Sequence, residues 1–493
     1  MMILKKLSKN AICLTLILVM ALWTVLPVKV KAADKCMAEN LSLIVNGSDR
    51  FNVKAVNPSY DNNTYLSLRD MAYAFRGTEK NFDVKVSSSE ISITTGADYA
   101  SSGTGDGSFD QATTDAVYGL SYTLKVNDIK IDGQQVKYYS LIGSYNGVND
   151  AYISTTDFAL IFDVDIWLRD GNLYADTTKE YMIDIEKLDE SEYFAVASGV
   201  LVGDATTGEI YYEYEGDQSL AIASTTKLMT YLVLMDEVAK GHVSMKDGVV
   251  ISSKAQWLSG TNDAVVRLTA GSVVSMEDLL YAMLVASSNE CSLAIAEHVA
   301  GSEDAFVEMM NATAKTIGLS ENAKFYNCNG LPVYSDDIIT AKNQNHMTCQ
   351  DMFILCRNII GKYPQLFDIT SSKKRALSTL GIEVTNKNAL IYNMPQCVGL
   401  KTGTTNKAGA CLVSAAKLDI EGKEHVIVAV EFGAENAIYR YTASQVLLTY
   451  GIQAANGLEP VLHENMTAKD EIQIPTTAEG LCYMIVNAAR NRE

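Results

Sequence analysis

The chain has 493 residues, enough for two or three domains that each bury their own core. With 48% apolar and 20% charged residues its composition is globular, which excludes a disordered or fibrous protein. A formal net charge of −19 argues against nucleic acid as a partner, because phosphate binding needs a basic surface, and leaves neutral or wall-bound substrates open.

In chain order, Lys5, Lys6 and Lys9 form a basic start. An apolar run from Ala11 to Val28 follows, broken only by Thr15, Thr24 and Pro27, and Val30-Lys31-Ala32 then offers small residues for cleavage. This pattern predicts a signal peptide over residues 1–32, cut before Ala33. The alternative is an uncleaved N-terminal anchor. Either way the bulk of the chain is exported, to a secreted, cell-wall or membrane-associated position. Eight cysteines follow (Cys36, Cys291, Cys328, Cys349, Cys356, Cys397, Cys411 and Cys482), with no C-x-x-C pair and no histidines at ligand spacing. Buried free thiols and no metal site are expected.

Residues 33–188 read as β-rich, with an internal repeat. Tyr65-Leu66-Ser67-Leu68-Arg69-Asp70-Met71-Ala72-Tyr73-Ala74-Phe75 matches Tyr152-Ile153-Ser154-Thr155-Thr156-Asp157-Phe158-Ala159-Leu160-Ile161-Phe162 in length and pattern. Each copy follows a Val-Asn strand and leads into a Phe-Asp-Val segment and an alternating strand. The predicted unit is therefore strand, short helix, strand hairpin. These two units resemble the stalk modules of the copper amine oxidase N-terminal type found on exported proteins of Gram-positive bacteria. The resemblance implies attachment to the wall or spacing from it, not copper chemistry. Gly103 to Gly107 is Gly-rich but lacks a following Lys-Ser/Thr, so a connector is expected there rather than a phosphate cradle.

From residue 189 to about 455 longer helices interleave with strands. Tyr193 to Val202 and Glu209 to Tyr214 read as paired strands. Ser224 to Lys240, Met276 to Ala286 and Ser292 to Val299 read as helices. Cys411 to Lys417 and His425 to Phe432 return to strand, and a helix runs near Arg440 to Tyr450. Strands at both ends with helices between predict an α+β domain, one antiparallel sheet closed by the two ends and flanked by helices. Residues 456–493 carry no assignable element, and Gly480 to Ala489 lacks the basic residues of a membrane-surface helix.

Three short motifs occur in order in this region: Ser224-Thr225-Thr226-Lys227, Ser287-Ser288-Asn289 and Lys401-Thr402-Gly403. Each alone is weak, and decoys exist at Ser371-Ser372-Lys373-Lys374, Ser144-Tyr145-Asn146 and Ser320-Glu321-Asn322. Context separates them, since Ser224 follows Leu220-Ala221-Ile222-Ala223 and opens an apolar helix, whereas Ser371 sits in a polar run. The trio is the signature of penicillin-binding proteins and class A β-lactamases. The surrounding words, Ala223 to Thr230, Asn327-Cys328-Asn329-Gly330-Leu331 and Gly399 to Gly409, resemble the low-molecular-mass D,D-carboxypeptidases, from Tyr193 to about Ile452. That branch usually has Ser-Gly-Asn where this chain has Ser287-Ser288-Asn289, so Ser288 adds bulk beside the loop.

The resemblance implies a serine D-Ala-D-Ala carboxypeptidase that trims peptidoglycan stem peptides, is acylated by β-lactam antibiotics and needs no cofactor. Ser224 is the expected nucleophile, with Lys227, on the same helix face, as its base in the neutral form. Ser287 would relay the proton to the leaving amine. Asn289 would hold the substrate backbone and the Lys227 amine. The backbone N–H groups of Ser224 and Thr404 would form the oxyanion hole. Lys401, in its charged form, and Thr402 would face a terminal carboxylate beside the bare Gly403, with Arg440 as a further cation for it. Every such candidate lies downstream of residue 188, so the N-terminal units are expected to be dispensable for turnover of small peptides. The five histidines fall at no triad spacing. The open alternatives are a β-lactamase or D,D-endopeptidase of the same fold, or a non-catalytic wall-binding or penicillin-sensing protein. No convincing Glu-x-x-x-Asn of the class A kind lies between Asn289 and Lys401.

Overall fold

The computed structural model describes residues 37–57, 64–87, 90–99, 125–145, 148–169, 171–183, 197–261, 264–332 and 343–458. The expected signal peptide over 1–32, the Gly103–Gly107 connector, Cys36, Cys482 and all but the first residues of the 456–493 tail lie outside them.

The repeat in the sequence is a repeat in space. Each unit has three strands, a short helix and a hairpin. The first runs Met37–Val45, Asp49–Asn57, Tyr65–Ser67, helix Leu68–Ala74, then Phe82–Val86 with Ile91–Thr95. The second runs Lys125–Ile131, Gln134–Tyr145, Val148–Ser154, helix Thr155–Phe162, then Asp165–Arg169 with Asn172–Asp176. The expected unit was therefore short of strands before the helix. In Asp49–Asn57 and Gln134–Tyr145 polar residues interrupt the alternation that marks a strand. The shared Ser-x-x-Asp is a helix start, because Ser67 and Ser154 accept the backbone N–H of Asp70 and Asp157.

The two units are interlocked. The opening strand of each pairs in parallel with the closing strand of the other, Leu43 beside Leu173 and Ile91 beside Ile129. The short middle strands pair antiparallel, Leu66 opposite Ile153, so one 10-stranded sheet results. Both helices bury aromatic rings under it, Phe75 5.5 Å from Phe158 and Phe82 4.2 Å from Phe162. Each such ring contributes roughly 1.5–3 kcal/mol by burial.

The C-terminal part is a three-layer α/β arrangement around a five-stranded antiparallel sheet in the order Ile210–Tyr214, Gly199–Asp204, Lys423–Ala434, Gly409–Ile420, Cys397–Thr405. Its chain ends do close it, Leu201 pairing with Val430. Strand alternation splits the core between two faces. Leu201, Val428 and Val430 pack with helix Cys349–Lys362 and share one core with helices Lys227–Ala239, Met276–Val285 and Asn289–Ala300. Val200, Val202, Ile427 and Ala429 pack under helix Ala437–Ala455. Helix Lys227–Ala239 is buried along its first nine residues, which is why its sequence is apolar all round rather than striped. No helix among the described residues is long and apolar enough to cross a membrane.

Candidate active site

Ser224 sits in a 3₁₀ turn, Ala223–Thr226, that runs directly into the buried helix. Ala223 holds a left-handed φ of 46°, a strained conformation for a residue with a side chain. Two glycines press against this turn. A Cβ on Gly330 would lie 1.9 Å from the Ala223 carbonyl oxygen, and one on Gly403 would lie 2.9 Å from the Ser224 nitrogen. Only glycine permits either approach, and Gly330 also has φ +87°. This gives a reason for Gly in both Asn329-Gly330-Leu331 and Lys401-Thr402-Gly403.

Behind Ser224 the Lys227 side chain is fully buried. Its ammonium donates to Ser224 Oγ at 2.9 Å, to Asn289 Oδ1 at 2.8 Å and to the Asn329 carbonyl at 2.6 Å. Burial pushes this amine down to about 7, opposed by Cys328 and Glu290 and reinforced by Lys387. A hydroxyl next to a lysine that is half neutral near pH 7 is an arrangement that could serve as a nucleophile with a base beside it. The Asn329 carbonyl was not singled out in the sequence, since a backbone acceptor leaves no residue-type signature. Its segment is fixed by Thr230 and Ser292, which both donate to the Cys328 carbonyl, and by Asn345, which bridges Thr226 Oγ1 and the Asn327 carbonyl.

Ser287 lines the same cleft, at the tight turn between helices Met276–Val285 and Asn289–Ala300, with φ 65°. Ser288 does not project into the cleft. It is buried and caps the next helix, accepting the Cys291 N–H at 3.1 Å. Glu290 is buried too. It accepts the N–H groups of Val265, at 2.9 Å, and Val266, and so pins the segment that supplies Ala264 and Val265 to the cleft wall.

The edge strand Cys397–Thr405 forms the opposite wall. Thr402, Gly403, Thr404 and Thr405 line the cleft, whereas Lys401 is 1% exposed and donates to the Thr402 carbonyl at 2.8 Å. Burial, with Lys227, Lys387 and Arg440 adding, pushes Lys401 well below the ordinary lysine range. The surroundings of Lys401, like those of Lys227, therefore disfavour the charged amine, which gives no support to the expected contrast of a neutral Lys227 and a charged Lys401. The cation at the open end is Arg440, on helix Ala437–Ala455. Its Nη1 donates to Thr404 Oγ1 at 3.0 Å and to the Gly403 carbonyl at 3.3 Å. Behind it Glu431 is buried in the sheet, bonded to Ser444 Oγ, and burial pushes it up to about 8.

The structure thus brings together Ser224, Ser287, Asn289, Thr402, Gly403, Thr404 and Arg440 around one cleft of about 670 Å³, with Lys227 buried behind Ser224 and Lys401 just behind the wall. The decoy Ser371 bonds the Phe367 carbonyl, and Lys374 pairs with Glu383 at the surface. His242, His298 and His425 pair with Glu237, Asp247 and Asp204 away from the cleft. His463 lies outside the described residues. Among the described residues no cluster of His, Cys, Asp and Glu could hold a metal ion. Six cysteines, Cys291, Cys328, Cys349, Cys356, Cys397 and Cys411, are buried free thiols.

Known proteins share this part of the chain. It is 32% identical over 247 residues to the D-alanyl-D-alanine carboxypeptidase DacF of Bacillus subtilis, covering 50% of this chain and 59% of that one. A D-alanyl-D-alanine endopeptidase of Pseudomonas aeruginosa is 29% identical, covering 48% of this chain and 73% of that one. A solved peptidoglycan synthesis regulatory factor (PBP3) from Streptococcus pneumoniae is 30% identical, with a TM-score of 0.48, over 52% of this chain and 72% of that one. The chain spans about six-tenths of the length of the DacF relative. Residues 188–436, half of the chain, match the peptidase S11 family, described as D-alanyl-D-alanine carboxypeptidase, so the chain belongs to that family.

Proposed function

We propose that the protein is an exported, extracytoplasmic serine D-Ala-D-Ala carboxypeptidase acting on peptidoglycan stem peptides. The observation that carries this reading is the buried Lys227 amine, 2.9 Å from Ser224 Oγ and pushed down to about 7. In the neutral form Lys227 takes the Ser224 proton as Oγ attacks the carbonyl carbon of the penultimate D-alanine. The oxyanion forms against the N–H groups of Ser224 and Thr404. The proton passes by way of Ser287 to the leaving nitrogen, the C–N bond breaks, and D-alanine departs. Water then attacks the ester and gives its proton back through Lys227, restoring the Ser224 hydroxyl. Asn289 keeps the Lys227 amine aimed at Oγ. Arg440, with Thr402 and Thr404, receives the terminal carboxylate, and Lys401 supports this wall from behind by donating to the Thr402 carbonyl. A β-lactam acylates the same oxygen by ring opening.

A β-lactamase of the class A kind needs a carboxylate to position the deacylating water. Among the described residues that line the cleft there is no Asp or Glu, which favours the peptidase reading. The test is release of free D-alanine from a stem pentapeptide by the purified protein, with Ser224→Ala as control. Loss of both D-alanine release and fluorescent penicillin label in Ser224→Ala supports it. Label kept in Ser224→Ala but lost in Ser371→Ala would place the nucleophile elsewhere.

A further inference from the structure

The cleft is not built by the C-terminal part alone. Lys137, on the N-terminal strand Gln134–Tyr145, lines it together with Ser224, Lys387 and Arg440. Its position is set by its own backbone. One edge of this strand pairs with Lys125–Ile131, Lys137 opposite Asp128. The other edge pairs with Val148–Ser154 only from Ser140 onward. At Lys137 that second edge is taken by the side-chain amide of Asn393, which accepts the Lys137 N–H at 2.7 Å and donates to its carbonyl at 2.7 Å. The ammonium then lies 4.5 Å from the ring centroid of Tyr392. The neighbouring Tyr138 hydroxyl accepts from Gln445 Nε2 at 3.1 Å, on the helix that carries Arg440. Farther along the chain, Gln453 of that helix accepts the Ile183 N–H and donates to the Tyr181 carbonyl. The N-terminal sheet is therefore fastened to the two elements, Leu390–Asn393 and Ala437–Ala455, that frame one end of the cleft.

That end is cationic in a chain of net charge −19. Lys137, Lys387 and Arg440 line it, and among the described lining residues there is no Asp or Glu; the carboxylates that act on this group lie behind the wall, Glu290 on Lys387 and Glu431 on Arg440. Tyr441 holds Lys387 in place by donating to its carbonyl at 2.5 Å. Three cations that line one cleft, with no carboxylate among its described lining residues, form a site for an anion.

We propose that Lys137 is a substrate-binding residue contributed by the N-terminal domain, which with Lys387 and Arg440 holds the free carboxylate of a single leaving D-amino acid. This rests on the reading of Ser224 as the acylated residue. It makes the N-terminal domain part of the specificity of the enzyme, favouring removal of a terminal residue over cleavage within a cross-link.

The experiment uses the full chain with Lys137→Ala, Lys137→Arg and Lys137→Glu, on one acyl-D-Ala-D-Ala peptide as the free acid and as its C-terminal amide. For a half-exposed charge the preference in kcat/KM for acid over amide should fall about fivefold in Lys137→Ala, mostly through KM. It should fall further in Lys137→Glu and recover largely in Lys137→Arg. An unchanged preference, or equal losses on acid and amide with no rescue by Arg, would overturn the role of Lys137. Saturating fluorescent penicillin reports separately on Ser224. Label on every variant with an unchanged preference sinks the inference alone, whereas an unlabelled wild type sinks the underlying reading.

Discussion

Asn289 offers a way to move the base without moving its shape. Its Oδ1 lies 2.8 Å from the Lys227 ammonium, so Asn289→Asp places a carboxylate there at almost no change in volume. An opposite charge at that range favours the charged amine by about 1–3 pK units. Lys227 would then titrate between about 8 and 10 instead of about 7. An ordinary lysine at 10.5 is neutral in about one molecule in 3000 at pH 7, and burial raises that to about one in two. Asn289→Asp should return the fraction to between about one in ten and one in a thousand. The base acts unprotonated, so the sign is fixed: acylation rises with pH. The wild-type second-order rate of fluorescent penicillin labelling should climb about tenfold per pH unit below 7 and level above it. The variant should be about 5- to 500-fold slower at pH 7, and should approach its own plateau only near pH 9–10. Two results would refute the argument: a variant slowed by the same factor at every pH, or a wild-type rate that falls as pH rises.

Replacing Lys227 with Arg should abolish labelling at every pH up to 10, because a guanidinium supplies no base, and the check is the same labelling assay. Arg440→Ala removes a buried, charge-assisted donor and should cut the preference for free-acid over amidated peptide about 10- to 100-fold, read as the ratio of kcat/KM values. Gly330→Ala should lose both labelling and thermal stability, since the new Cβ would overlap the Ala223 carbonyl, whereas a Ser371→Ala control should lose neither.

Much of the candidate site's composition was legible from residue type and spacing. Ser224 and Lys227 had to share a helix face, whereas Gly403, read as leaving room for a substrate peptide, makes room for the turn that carries Ser224. What escaped the sequence was what depends on packing between distant segments. The Asn329 carbonyl is a backbone group. Glu290 looks like an ordinary first-turn acid and reveals its hold on Val265 and Val266 only once the helices are packed. Lys401 was expected to face a substrate carboxylate, yet its side chain is buried behind the cleft wall. In the N-terminal part the repeated Ser-x-x-Asp was visible, but the exchange of strands between units was not, because parallel partners such as Leu43 and Leu173 are far apart in sequence. Lys137 escaped for the same reason, as its partner Asn393 lies 256 residues away in the chain.

Glu431 carries the sharpest consequence of this packing for stability. It is an acid buried in the sheet, and burial lifts it from an ordinary 4.5 to about 8, with Ser444 and Arg440 pulling in the opposite direction. The folded state therefore keeps a proton that the unfolded chain releases above pH 4.5. Its contribution is fully present below 4.5 and is lost as pH rises through about 8. A gap of that size corresponds to an upper limit of roughly 5 kcal/mol across the window. Glu431→Gln retains a neutral group able to accept from Ser444 and cannot ionise. The difference in unfolding free energy between Glu431→Gln and wild type should therefore grow in favour of the variant from pH 5 to pH 8, measured by denaturant unfolding at fixed ionic strength. Because Arg440 sits over this acid and also meets Thr404, the same titration should reach the cleft. Above pH 8 an ionised Glu431 would draw on Arg440 from behind, and KM for a free-acid peptide should rise in wild type more than in Glu431→Gln. A pH-independent difference in stability between the two proteins would show that Glu431 is already ionised at pH 5, held by Arg440, and that the cleft is insulated from it.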